Sequence, residues 1–330
     1  MKRTGVFVIS LDFELFWGVR DKRTIENYGD AIRATHLVVP KLIDMFNEYS
    51  VKATFATVGF LFAENKEELK KYSPLIKPSY YHTNLSPYLD DFELVLEDGA
   101  QDPYHYAYHL ISSLKEHPQH EIASHTFSHF YCQEKGQTAA DFEADIKAAV
   151  LIAKDKGVKL TSLAFPRNQF NLDYLKICND NGITNYRGNE EVWFYKPDSE
   201  ENTTLFKRIA RTLDCYINIS GKHCYIIQEL SKKTPYNIPS SRFLRPYAHK
   251  LKILEKLKVR RIKKAMTYAA KNGLMYHLWW HPHNFGNNIE ENFNTLKSIL
   301  EHFRFLNEKY NFESKTMAET GDILKKLNKH

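Results

Sequence analysis

Residues 6–14 read VFVISLDFE. Val6 to Ser10 form a short, continuous β-prone run with no apolar/polar alternation. Such a run predicts a strand buried on both faces, as in a parallel sheet. It leads into two carboxylates, Asp12 and Glu14, two residues apart. Side chains at i and i+2 of a strand share a face, so both acids are expected to enter one pocket. In barrel-like α/β folds the carboxyl ends of the strands are where active sites lie. Taken alone, the pair reads equally well as a polar strand exit with two solvated acids.

The remainder of the chain repeats the strand-then-helix alternation. Leu37, Val38, Leu42, Ile43 and Phe46 recur at helical spacing over 30–49, and a second strand spans 52–58, followed by a helix to about 71. Residues 72–104 are rich in Tyr, Pro, Ser and Asp and predict an ordered loop excursion. A helix at 105–117 and a strand follow. A further helix runs from Ala139 to Lys156, capped by Thr138 and stopped by Gly157. Strands at Leu160–Phe165, Ile183–Arg187 and Leu274–Trp280, a helix at Leu172–Asn181, a basic helix over 249–272 and two closing helices complete the pattern. Alternation of this kind predicts a parallel α/β architecture. Residues 190–248 break the rhythm and predict a loop-rich insertion. No Gly/Ser-rich linker divides the chain, so one domain over 1–330 is expected.

Composition narrows the partners. The net charge of +6 demands no nucleic-acid partner, and no zinc-finger or RNA-binding signature is present. Aromatic residues make up 14% of the chain; such rings stack on sugars, although they also fill cores. Cys132, Cys178, Cys215 and Cys224 form no CxxC pair, which fits reduced thiols in a cytoplasmic protein. The apolar run after Lys2 and Arg3 is broken by Asp12 and Glu14, too short for a secretory leader.

Residues 120–129 read HEIASHTFSH. His125 and His129 are four apart, a spacing that shares one helix face and lets two imidazoles converge on one metal ion. With 15 His in the chain, a pair at this spacing also arises by chance. Glu14 supplies the missing acid: two His and one carboxylate suit zinc with an open position. Asp12 is then free as a base. Arg167, in FPRNQ, is expected to hold Asp12 ionised. HLWWHPHN, from His277, offers His281 as a proton donor and Trp279 or Trp280 as a stacking wall. Each also has a plain structural reading: a surface Arg after a proline turn, a structural His beside a buried Trp pair.

In chain order, DFE, HTFSH, FPRNQ and WWHPHN resemble the motifs of the polysaccharide deacetylases, carbohydrate esterase family 4. The resemblance spans residues 6 to 284, and HTFSH fits its motif fully. It implies a distorted (β/α) barrel, Asp12, His281 and Arg167 in catalysis, and Glu14, His125 and His129 on a divalent metal, zinc in the first place. Asn168, Trp279, Trp280, His283 and Asn284 are expected at the substrate, with a backbone N–H near Asn168 facing the developing oxyanion. The chain departs from the pattern in three places: Phe13 separates the acids, Arg167 follows Pro166 instead of preceding it, and the motif that tunes the acid His has no clean match. Glu190, Glu191 and Trp193 are the candidates for tuning the acid His.

The implied activity is removal of an N-acetyl or related acyl group from a sugar, an intermediate of surface polysaccharide biosynthesis being the expected substrate. Two alternatives are a C–N hydrolase of a small cyclic amide or urea-like substrate and a non-catalytic glycan-binding module. Residues 249–264, HKLKILEKLKVRRIKK, are basic and amphipathic. The default is an outer helix whose apolar stripe packs on the barrel; the alternative is peripheral contact with the inner face of an anionic membrane.

Overall fold

The computed structural model describes residues 4–88, 92–196, 198–199, 204–230 and 232–328. Lys2 and Arg3, and short parts of the two loop-rich stretches, lie outside the described residues. The core is one parallel sheet. Its strands are β1 (Val6–Phe13), β2 (Thr54–Thr57), β3 (Glu121–Ser124), β4 (Ser162–Ala164), β5 (Asn185–Arg187), β6 (Tyr236–Asn237), β7 (Arg242–Phe243) and β8 (Met275–Trp280). The spatial order is β6-β5-β4-β3-β2-β1-β8-β7. β9 (Glu313–Lys315) pairs with the start of β1, through Val6 to Val8. Every residue of β1 is buried, as its uninterrupted apolar run predicts.

The two end strands, β6 and β7, are consecutive in the chain. Between them, the N–H groups of Ile238 and Ser240 donate to Tyr186 and Gly188 carbonyls on one side, and that of Ser241 donates to His277 O on the other. The sheet therefore curls until its edges nearly meet, giving the distorted barrel of deacetylase type. Residues 190–248 are not only loop: they supply β6, β7 and helix α6 (Leu205–Tyr216), counting the chain's α-helices in order. Two-residue strands carry no period, which is why they are silent in the sequence.

Helices cover the outside. α1 (Ile25–Glu48), α2 (Lys66–Tyr72), α3 (Tyr108–Lys115), α4 (Ala139–Asp155), α5 (Leu175–Asp180), α7 (Glu255–Asn272), α8 (Ile289–Tyr310) and α9 (Met317–Leu327) account for the expected helical segments. The Thr138 cap forms as predicted, as a reciprocal box with Asp141. The basic segment starts as a 3-10 turn over His249–Leu254 and becomes regular at Glu255. Ile262, Ala265, Met266 and Ala269 of α7 face inward and are buried, the arrangement of an outer helix on a barrel. Two of its cations are also buried and paired: Lys258 with Glu255, and Arg261 with Asp214 of α6. No helix of the described residues is long and apolar enough to cross a membrane.

Candidate active site

β1 delivers Asp12 and Glu14 into one pocket at its carboxyl end, and both are 3% exposed. Glu14 lies just past the strand, at the entry of a 3-10 turn over Leu15–Gly18. Its carboxyl group folds across Gly18, where a Cβ would sit 1.9 Å from Glu14 Cδ. Only a residue with no side chain leaves room for the acid there.

His125 and His129 reach Glu14 by a route different from a helix face. The segment 125–129 is an irregular loop after β3, with Thr126 and His129 at φ of 63° and 59°. Helical hydrogen bonds are replaced by side chains. Asp145 of α4 accepts from the backbone N–H of Phe127 (2.7 Å) and of Ser128 (3.1 Å), and from the Ser128 hydroxyl. The Thr126 hydroxyl accepts from Phe130 N–H at 2.7 Å. So held, His125 Nε2 lies 3.2 Å and His129 Nε2 3.1 Å from Glu14 Oε2.

These three residues fit a metal. Their donor atoms lie within 4.8 Å of one another. His125 commits its Nδ1–H to the Ala164 carbonyl (2.8 Å), so the neutral ring turns the Nε2 lone pair on an anionic oxygen. Two lone pairs facing each other in a buried site need a cation or a proton between them. Burial pushes the His129 imidazole down to about 4, which favours the neutral ligand form. Replacing Asp145 by Ala strips acceptors from two buried backbone donors, and metal affinity is expected to fall by about 10- to 100-fold, the usual cost of losing an outer support. Zinc titration against a chelating competitor would measure it; an unchanged constant would show that the loop holds itself.

Asp12 is clamped by Arg187, not by Arg167. Arg187, at the end of β5, donates to both Asp12 oxygens, at 2.6 and 2.7 Å. Ser10 Oγ and Asn168 Oδ1 accept further bonds from the same guanidinium. Burial opposes a charge on Asp12, but Arg187 together with His125 and His281 outweighs it and holds the carboxyl below its ordinary value. Arg167 instead sits in a left-handed turn at φ 54°, donates to Asp21 and lies over the Tyr131 ring at 4.3 Å. The turn after Pro166 aims it away from Asp12, while β4–β5 pairing sets Arg187 beside Ala164. The signal for Arg187 was its place at the carboxyl end of an expected strand. The N–H groups of Asn168 and Gln169 donate to the Phe165 and Pro166 carbonyls, so neither is free for an oxyanion.

The end of β8 supplies His281. Its Nε2 lies 3.7 Å from both Asp12 Oδ2 and Glu14 Oε1. Asn284 Oδ1 faces its Nδ1 at 3.2 Å, a contact made by Asn284 rather than by Glu190, Glu191 or Trp193 among the described residues. Asn284 thus orients His281 and is itself tied to the Tyr28 hydroxyl. Trp279 lines the cleft, and the Arg187 guanidinium covers one face of its ring at 4.3 Å from the centroid. Trp280 points the other way and is fully buried, stacked on Phe285. Successive strand residues alternate faces, so only one of the two Trp can reach the site. His283 is also buried, wedged between Tyr28 and His281, with its Nε2 3.9 Å from Glu14 Oε1.

Asp12, Glu14, His129, Asn168, Trp279 and His281 open onto one cleft of about 480 Å³, whose outer wall comes from the 190–248 segment. Its volume suits a small ligand or one to two sugar rings.

No curated protein sequence matches the chain at a significant level. In fold, the chain is similar to a Mycobacterium smegmatis protein assigned to the polysaccharide deacetylases, at 11% identity and a TM-score of 0.62, over 99% of this chain and 92% of the other. It is also similar to a GH57-type branching enzyme from the hyperthermophilic archaeon Pyrococcus horikoshii, at 10% identity and a TM-score of 0.52, over 98% of this chain and 70% of that one. At such identities the likeness is one of fold. Residues 26–186 match the family model for polysaccharide deacetylase, a span that includes both His125 and His129. Over that span, just under half of the chain, and in the barrel around it, the chain is similar to the polysaccharide deacetylases.

Proposed function

We propose that the chain is a single catalytic domain that hydrolyses an N-acyl group, acetyl first, on a sugar. The observation that carries this reading is the meeting of the Glu14, His125 and His129 donors with Asp12 and His281 in one cleft. A divalent cation on the three donors, zinc by their chemistry, would make water acidic and polarise the acyl oxygen. Asp12, kept anionic by Arg187, accepts the proton of the attacking water. The acyl carbon gains the water oxygen and loses its bond to nitrogen. His281, oriented by Asn284, gives a proton to the departing nitrogen, so the products are a carboxylate and an amino sugar. Arg167 and Trp279 act as cleft wall in this scheme. An intermediate of surface polysaccharide synthesis, met in the cytoplasm, is the substrate this reading favours.

Elemental analysis of gently purified protein, beside His125→Ala, is the first test. One equivalent of metal is expected in the parent and a small fraction in the variant. Acetate release from N-acetylated sugars, against a panel of cyclic amides and ureas, then fixes the substrate class. Equal metal in both proteins, or turnover confined to the cyclic amides, would remove this reading.

A further inference from the structure

α6 reads LFKRIARTLDCY and has two unlike faces. At about 100° per residue, Leu205, Phe206, Ile209, Leu213 and the following Ile217 fall within an arc of roughly 120°. All five are solvent-exposed, between 47% and 72%. Trp193 stacks on Phe206 at one end and the stripe is otherwise open, and apolar stripes of this size mark contact surfaces. The opposite face turns Arg208, Arg211, Thr212 and Cys215 into the cleft that holds Asp12 and His281.

The charges in that cleft are unevenly matched. Elsewhere the cations are paired: Arg187 with Asp12, Arg167 with Asp21, Arg242 and Arg261 with Asp214, Lys207 with Asp198. Lys196, Arg208, Arg211 and Arg245 line the cleft with no carboxylate in ion-pair reach among the described residues. Arg211 spends its Nε on the Phe194 carbonyl, and Arg245 reaches the Thr212 hydroxyl, at 3.4 Å, and lies beside that of Tyr216. Glu190 and Asp198 share the cleft and attract Arg211 from beyond ion-pair distance, yet four cations with no direct ion pair still fit an anion, and forked guanidinium groups suit phosphate. α6 packs on α7, and the preceding turn exposes Ile253 (83%) among Lys250 and Lys252. An apolar helix face beside a turn that carries Lys250 and Lys252 suits contact with an anionic bilayer surface.

We propose that the substrate of this cleft is an acylated sugar carried on a lipid phosphate, with Lys196, Arg208, Arg211 and Arg245 taking the phosphate and the outer face of α6 lying in the bilayer surface. The inference rests on the hydrolase reading for its chemistry, but its binding step requires no turnover. The test is co-sedimentation with phosphatidylcholine vesicles doped with a long-chain isoprenyl phosphate. Controls are undoped vesicles and vesicles doped with phosphatidylserine to equal charge. The isoprenyl phosphate vesicles are expected to bind best. Ile209→Ser/Leu213→Ser and, separately, Arg208→Gln/Arg211→Gln should each weaken that binding about tenfold or more. The first pair, outside the cleft, should leave acetate release from a soluble N-acetyl sugar unchanged. Absence of binding, equal binding to phosphatidylserine vesicles, or tight binding of a nucleoside-diphosphate sugar with indifference to all vesicles would each overturn the proposal. Binding to the isoprenyl phosphate vesicles without acetate release from any substrate would instead remove the hydrolase reading, so the two failures are told apart.

Discussion

Replacing Asp12 by Asn is expected to leave the metal bound and to lower turnover by about 10²- to 10⁴-fold, the usual contribution of a general base. The amide keeps the shape and accepts from one Arg187 nitrogen, but it takes no proton. Because the donor atoms belong to Glu14, His125 and His129, metal content should be unchanged. His281→Ala is expected to show the same split, with its loss greatest on substrates with poor leaving groups, since in the proposed scheme it protonates the departing nitrogen. Metal analysis and acetate release on the same preparations decide both. Near-parental turnover in Asp12→Asn would mean that another group takes the proton.

The Arg187→Ala protein is expected to be destabilised by ~3–5 kcal/mol, the range for a buried charge left without its partner. Asp12 and Arg187 are both almost fully buried, at 3% and 1% exposure, so water replaces little of the lost interaction. Arg187→Lys is expected to recover only part of the loss, because an ammonium cannot reach both oxygens as the fork does. The pH dependence follows from the direction of the Asp12 shift. Its folded carboxyl titrates below the ordinary 3.8, so the pair's stabilisation is complete above that value and fades as pH falls through the lowered one. The stability gap between parent and Arg187→Ala should therefore narrow on acidification. Urea unfolding of chelator-treated proteins at neutral and acidic pH measures it, and equal stability at neutral pH would show that the clamp contributes nothing.

The parallel α/β class, the first strand and the residues that meet at the site, Glu14, His125 and His129, were legible because each is written in a local pattern. An unbroken β-prone run spells a strand buried on both faces, and the order of DFE, HTFSH and WWHPHN spells a site at strand ends. The capped helix at Thr138 was legible for the same reason, since a cap is a contact between residues three apart. What the tertiary structure alone decided are the contacts between distant positions. Arg187 meets Asp12 across 175 residues, and no spacing rule reports that. Arg167 was the nearer choice by motif, but a left-handed turn sent it to Asp21. His125 and His129 converge as expected, though through a loop tied by Asp145 and not through a helix face. Trp279 and Trp280 are indistinguishable by type; the pleat of β8 gives one to the cleft and the other to the core. The stretch 190–248, without period, folds into two strands and α6, because its strands gain their hydrogen bonds from β5 and β8 rather than from their own neighbours.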